Sequence, residues 1–137
     1  MSDQPHIVVL GAGLGGTIAA YEIRQTLGKS ARITVLNKGE DYWFVPSNPW
    51  VAVGWREPES IKVHLPPVME KHGIGFNSEG AAKVHPKENR VELLDGSSVT
   101  YDYLIVATGP ELGFDEIPGF GPEGHTQSIC VTAHAKA

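Results

Sequence analysis

One cysteine is all this chain carries in 137 residues. That excludes an internal disulfide and a cysteine-rich metal site. No apolar run approaches the roughly 18 residues that a membrane-spanning helix needs. Acidic residues outnumber lysine and arginine, 16 to 11, for a net charge of -5. With no basic run either, no nucleic-acid partner is expected. The N-terminus lacks a charged region followed by an apolar stretch, so no signal peptide is expected. There is no internal repeat and no low-complexity segment. What is left is ordinary for a globular chain, 41% hydrophobic and 20% charged. The length suits one domain with a proper core.

The N-terminal stretch is the most specific. His6-Ile7-Val8-Val9-Leu10 reads as a buried parallel strand, Gly11-Ala12-Gly13-Leu14-Gly15-Gly16 as a tight turn, and residues 17–27 as a helix. This is G-x-G-x-x-G on Gly11, Gly13 and Gly16, in the strand–turn–helix context that a dinucleotide fingerprint requires. Gly11 allows the sharp turn, Gly13 lets backbone approach a pyrophosphate, and Gly16 lets helix pack close to strand. The pyrophosphate is expected over Gly11 to Gly16, Leu14 and Gly15 included, where the helix N-terminus offers free N–H groups and partial positive charge. Ala19, Ile23 and Leu27, beside Leu14, Ile18 and Ala20, give the helix a face for a sheet. Gly28 is its stop. Residues 31–36 read as a second strand, parallel and adjacent to the first through a right-handed crossover.

A dinucleotide site usually carries Asp or Glu about 20 residues past its glycines, bonded to the ribose hydroxyls. Asn37 and Lys38 stand there instead. Asn37 is expected to contact the ribose through its amide. Lys38 either attracts a 2′-phosphate, which would favour NADP, or is simply solvated. Residues 42–55 then hold all three tryptophans and five of the eleven aromatics. A stretch this apolar is either a loop core or the wall of a flat-cofactor pocket. Pro46 and Pro49 are expected to break any helix there.

A short helix over 61–72, interrupted by Pro66-Pro67, feeds a candidate strand over 73–76. Residues 81–85, 89–94 and 98–101 alternate like antiparallel strands, with Asp95-Gly96 as a hairpin turn. The meander, placed over 79–101, is inserted into the α/β sheet. Tyr101-Asp102-Tyr103-Leu104-Ile105-Val106-Ala107-Thr108-Gly109-Pro110 reads as a buried strand ending in small residues, which lets backbone approach a ligand at the sheet's crevice.

The pairing of this strand with the N-terminal fingerprint resembles the FAD-binding part of the two-dinucleotide-binding-domain flavoproteins. The stretch Phe44-Val45-Pro46-Ser47-Asn48-Pro49-Trp50-Val51-Ala52-Val53-Gly54-Trp55, and Gln127-Ser128-Ile129-Cys130 with His134-Ala135, resemble the sulfide:quinone oxidoreductases within that group. The resemblance implies FAD as cofactor. It implies the adenine near Ala82 and the flavin toward Pro46, Asn48, Thr108, Gly109 and Pro110. It implies sulfide oxidised at a cysteine bridge beside FAD, electrons passed to quinone, and sulfur released as polysulfide. Cys130 stands where that family carries the first of three redox cysteines. The other two would lie beyond residue 137, with the second dinucleotide-type domain, the quinone pocket and an amphipathic membrane-binding C-terminus. The fold class expected over 1–137 is therefore α/β: a Rossmann-like FAD-binding domain with a parallel sheet and an inserted β-meander, incomplete without the rest of a peripheral membrane enzyme. The chain also ends inside what reads as a helix, which points to a piece of something longer. Left with an open sheet edge, it is expected to bind FAD weakly or not at all, and to self-associate into a homo-oligomer.

Chemistry at Cys130 leaves two readings open. A thiolate near a cation or helix N-terminus is a nucleophile, and a helix starting near Cys130 would put His134 one turn on, as its proton partner. Otherwise Cys130 is a small buried hydrophobe. His125, Cys130 and His134 match no usual zinc spacing, so no metal is expected. His6, His64, His72 and His85 are scattered and read as surface or core residues. Rival functions are the flavin subunit of a flavocytochrome c, an NADH:quinone reductase, and a non-catalytic NAD(P)-binding redox sensor using Lys38.

Overall fold

The structure, a computed structural model, describes residues 4–136. In chain order the elements are β1 (His6–Leu10), α1 (Leu14–Leu27), β2 (Arg32–Leu36), β3 (Asp41–Trp43), α2 (Asn48–Ala52), β4 (Lys62–His64), α3 (Leu65–Lys71), β5 (Gly75–Asn77), β6 (Ala81–His85), β7 (Arg90–Leu93), β8 (Ser98–Thr100), β9 (Tyr103–Val106) and α4 (Thr132–Ala135). The chain divides into two compact units, residues 1–41 with 64–109, and residues 42–63 with 110–137.

The first unit is built on a four-stranded parallel sheet in the order β5-β2-β1-β9. β1 is buried along its whole length, as an unbroken apolar run at the centre of a parallel sheet must be. Its register sets His6 beside Arg32 and Leu10 beside both Leu36 and Val106. The β1–α1–β2 unit forms as its pattern predicts, and α1 opens at Leu14, three residues earlier than expected. Its packed face differs from the expected one. Gly16 and Ala20 are buried, while Leu14, Ile18 and Leu27 are exposed. Small residues let the helix lie close to the strands, and that close approach, rather than side-chain length, decides which face turns inward.

The meander β6-β7-β8 is antiparallel, as expected. Val91 and Leu93 pack with Val8, Leu10 and Leu36 into one buried cluster. β9 departs from the buried strand expected of its sequence. It stands at the sheet's edge, with Tyr103 63% and Val106 64% exposed.

Prolines account for two further differences. Pro66-Pro67 do not interrupt a helix over 61–72; they occupy the first turn of α3, which starts at Leu65 after β4. Pro49 likewise sits in the first turn of α2 rather than preventing it. Proline lacks only an N–H that a first turn leaves unbonded in any case. Among the described residues every peptide bond is trans.

A polar cluster marks the N-terminal end of the sheet. His6 is buried, its backbone N–H donating to Asp102 Oδ2 at 2.6 Å. Arg32 Nη2 lies 2.7 Å from His6 Nδ1, and Thr34 Oγ1 lies 2.8 Å from Nε2. A guanidinium can only donate, so Nδ1 accepts, Nε2 carries the proton, and the ring is neutral. Burial first, then the Arg32 charge, hold its pKa below the ordinary histidine value.

The second unit has a small core of Val51, Ile61 and Ala135, with Trp43 packed against it. The aromatic stretch is not its centre. Trp50 and Trp55 are exposed, and Arg56 lies over the Trp50 ring at 4.4 Å. Ser47 and Asn48 are the residues fully enclosed.

Candidate functional site

The crevice of the first unit forms where the C-terminal ends of β1, β2 and β9 meet. Gly11 has φ +101°, and a Cβ there would stand 2.4 Å from the Ala107 carbonyl oxygen. A Cβ on Gly16 would stand 1.9 Å from the Gly11 carbonyl oxygen. These two glycines let the turn close against β9 and the helix close against the turn. Gly13 and Gly15 have nothing within 4 Å of a Cβ position. They leave room for a ligand rather than for protein.

α1 presents its N-terminus to that room. Gly13 is its N-cap, no side chain caps it, and no acid stands in its first turn. The first-turn N–H groups have no intrahelical acceptor, and 14 residues of aligned peptide dipoles lie behind them. Thr17 Oγ1 donates to the Ala12 carbonyl at 3.2 Å, steadying the turn.

Asn37 closes the other side. Its Oδ1 accepts the Ala12 N–H at 3.0 Å, and its Nδ2 donates to the Gly39 carbonyl at 3.0 Å. The Gly11 N–H donates to the Leu36 carbonyl at 2.8 Å. The carboxamide expected to reach a ribose is thus committed to the glycine turn. A cavity of about 220 Å³ is bounded by Leu10, Gly11, Leu36, Asn37, Lys38, Ala81 and Thr108. Ala81, rather than its exposed neighbour Ala82, reaches this wall. Thr108 and Gly109 follow β9, and Gly109 has φ +76° with open space at its Cβ position. A larger cavity, about 580 Å³, lies along β5, but Glu40, Glu70 and Glu79 line it. Three carboxylates suit no phosphate. The residues of the smaller crevice do fit a dinucleotide: two glycines with no room for a side chain, two facing open space, and an uncapped helix start.

In the second unit the expected residues take other places. The Asn48 Nδ2 donates to the Ile129 carbonyl at 2.8 Å, and Thr132 Oγ1 donates to Asn48 Oδ1 at 2.9 Å. Asn48 therefore ties α2 to the segment before α4 instead of offering its amide to a flavin. Pro46 is exposed in the turn Val45–Ser47, and Pro110 is exposed as well.

Cys130 is exposed, so it is not a buried hydrophobe. It borders a mostly apolar cavity of about 410 Å³ with Trp43, Val45 and Val131. The expected pairing with His134 is overturned. α4 begins at Thr132, and Val131 is extended (φ −125°, ψ 139°), so the four-residue spacing spans no helical turn. His134 borders another cavity, with Phe114 and His125. Its buried Nδ1 has no hydrogen-bond partner among the described residues. No cluster of three or more metal-ligating side chains occurs among the described residues.

Sequence reasoning missed the Ala12 N–H and the Thr17 hydroxyl as parts of the turn. A threonine directly after the last fingerprint glycine was the available signal for one; the other is a backbone group and leaves none.

Residues 5–136 match the pyridine nucleotide-disulphide oxidoreductase family. The sulfide-quinone reductase of Aquifex aeolicus (strain VF5) is 38% identical over 130 residues, covering 95% of this chain and 29% of that protein. The mitochondrial sulfide:quinone oxidoreductase of Mus musculus is 29% identical over 119 residues, covering 86% of this chain and 26% of that one. The X-ray structure of the sulfide:quinone oxidoreductase from Aquifex aeolicus matches with a TM-score of 0.88 at 39% identity, covering 96% of this chain and 30% of that chain. The chain therefore spans less than a third of the length of these relatives.

Proposed function

The chain belongs to the pyridine nucleotide-disulphide oxidoreductase family, and on that premise we propose that it is the FAD-binding part of a flavoprotein that oxidises sulfide to polysulfide and passes the electrons to quinone. The observation that carries this reading is the crevice itself: an uncapped helix start beside Gly13 and Gly15, walled by Asn37, Lys38, Ala81 and Thr108. The likeness to sulfide-quinone reductase supports the choice of substrates.

Bound FAD would supply an acceptor that takes electrons from sulfur and returns them to quinone. The chain's own residues bind and orient it. First-turn N–H groups from Gly13 to Gly16 receive the pyrophosphate, and Gly11 keeps the turn tight enough to present them. Ala81 borders the adenosine end, with Lys38 beside the ribose. Thr108 and Gly109 allow close backbone approach at the end of β9, and Pro46 and Pro110 are proposed for the flavin end. Cys130 is proposed as the first sulfur-handling thiol, supported by its exposure and by the apolar cavity beside it. Quinone, a membrane surface and a second copy of the chain are the proposed partners. No helix among the described residues is long and apolar enough to cross a membrane.

The test is an absorbance spectrum of the complete flavoprotein before and after anaerobic sulfide. Oxidised flavin bands, bleached by sulfide and restored by a quinone, are expected. Colourless protein that retains no FAD would overturn the reading. Bands bleached by NADH and not by sulfide would keep the cofactor and overturn the substrate.

A further inference from the structure

Residues 117–131 contain no helix or strand, yet the peptide that carries Cys130 is fixed on both sides. Asn48, whose side chain is fully enclosed, does most of this. Its Nδ2 donates to the carbonyl of Ile129, the residue before the cysteine, at 2.8 Å. Its Oδ1 accepts from the hydroxyl of Thr132, two residues after the cysteine, at 2.9 Å. The Cys130 N–H itself donates to Ser128 Oγ at 3.1 Å, and Ser128 is buried too. Ile129 and Val131, by contrast, are 49% and 40% exposed. Hydrogen bonds, rather than apolar packing of the cysteine's neighbours, hold this stretch in place.

Enclosing a carboxamide costs free energy unless both of its ends find partners. Asn48 finds them 81 and 84 positions away, one on each side of the thiol. The same short stretch of chain supplies the wall that the thiol meets. Trp43 and Val45 line the cavity of about 410 Å³ that Cys130 borders. Trp43 is anchored by packing against Val51, Ile61 and Ala135. The charged residues of this cavity are Glu59 and Lys136, and Glu59 is paired with Lys62 at 2.5 Å. Residues 43–48 thus set both the apolar wall and the backbone from which the thiol projects.

A reacting group depends on the hydrogen bonds that hold its supporting backbone, because a displacement of about 1 Å can cost roughly a hundredfold in rate. We propose that Asn48 and Thr132 are positioning residues that keep the Cys130 thiol at the cavity walled by Trp43 and Val45. Asn48 acts on the peptide before and after the cysteine, and Thr132 completes the second of those two ties. The proposal rests on the reading of Cys130 as the first sulfur-handling thiol and adds to it the residues that aim the thiol.

Cys130 is the only cysteine in the 137-residue chain, so its reaction rate can be read without interference. The test compares its alkylation by N-phenylmaleimide and by N-methylmaleimide, each rate divided by that of glutathione. The same thiolate attacks both reagents, so their ratio cancels thiol ionisation and reports where the thiol stands. The unaltered chain is expected to favour the phenyl reagent roughly three- to tenfold, the gain from lodging one ring against apolar walls. Asn48→Ala and Thr132→Val should each bring the ratio to within about twofold of that for glutathione. Thr132→Ser keeps the hydroxyl and should keep the preference. Ile61→Val weakens the same small core without touching these bonds, and it too should keep the preference. Circular dichroism establishes which variants are folded; if Asn48→Ala is not, the two Thr132 variants decide. A preference that survives Thr132→Val, or one lost equally in Ile61→Val, would overturn the proposal. If Cys130 reacts with both reagents and the unaltered chain shows no preference, only this inference falls. If it reacts with neither, the reading of Cys130 as a sulfur-handling thiol falls and takes this one with it.

Discussion

Gly16 and Gly13 differ in what a methyl group would meet, though the fingerprint treats them alike. On Gly16 it would collide with backbone at 1.9 Å; on Gly13 it would meet nothing within 4 Å. Gly16→Ala is expected to lower stability by roughly 1–3 kcal/mol, the range for overpacking a close contact. Gly13→Ala should leave stability within about 0.5 kcal/mol, since a weaker N-cap is offset by a stiffer unfolded chain. It should nonetheless weaken nucleotide binding about tenfold, a loss of ~1.4 kcal/mol. Urea unfolding and a nucleotide titration of both variants separate the two roles. His6 gives a pH dependence of definite sign. Its folded pKa lies below 6.5, so between pH 6.5 and that lower value the unfolded chain binds more protons than the folded one. Stability is then full above the unfolded pKa and falls as pH drops below about 6.5. Urea midpoints from pH 7.5 to 5 should show the decline, and His6→Gln should flatten it. Locations were more legible in the sequence than side-chain directions. The glycines, Asn37 and Thr108 stand where spacing placed them. That Asn37 turns back to the Ala12 N–H, and Asn48 inward to Thr132, depends on partners 25 and 84 positions away, which spacing does not encode.

Elements were legible wherever one periodicity dominated. β1, α1, β2 and the meander each carry a strong local pattern, and each formed. The differences arose where tertiary position overrode it. β9 has the apolar run of a buried strand, yet sits at a sheet edge. Pro66 and Pro67 read as breaks, yet start α3, because a proline's effect depends on which turn it occupies. Arg24 shows how such elements are joined. From the last turn of α1 its Nη1 donates to the Gly28 carbonyl and, at 3.1 Å, to the Ala31 carbonyl before β2. Its Nη2 donates at 2.7 Å to the Gly73 carbonyl before β5. One guanidinium thus ties a helix end to the starts of two strands. Arg24→Met keeps most of the stem and removes the donors. It is expected to cost about 1 kcal/mol, since only the bond to the Ala31 carbonyl is partly buried and those to Gly28 and Gly73 are open to water, and chemical denaturation measures it directly.

At the scale of the whole molecule, the parallel sheet has β5 and β9 at its edges, and β9 exposes Tyr103 and Val106. An apolar edge with unpaired backbone groups invites a strand from another chain. A net charge of -5 opposes association only weakly at physiological salt, where exposed charges are screened beyond about 8 Å. The 137-residue chain is expected to self-associate at micromolar concentration, and Val106→Lys, which charges the edge, should shift it toward monomer. Light scattering coupled to gel filtration decides, and an unaltered chain that stays monomeric would refute the edge as the cause.

The closure of β9 on β1 also has a consequence in time. The wall that Ala107 and Thr108 give to Gly11 depends on pairing such as that of His6 with Asp102, 96 positions later. On the ribosome the fingerprint emerges first and waits without a wall until β9 follows. Contacts so distant in sequence form slowly, so a nucleotide cannot template the early chain. It would bind only after β9 arrives, which would make it a brake on unfolding rather than a guide to folding.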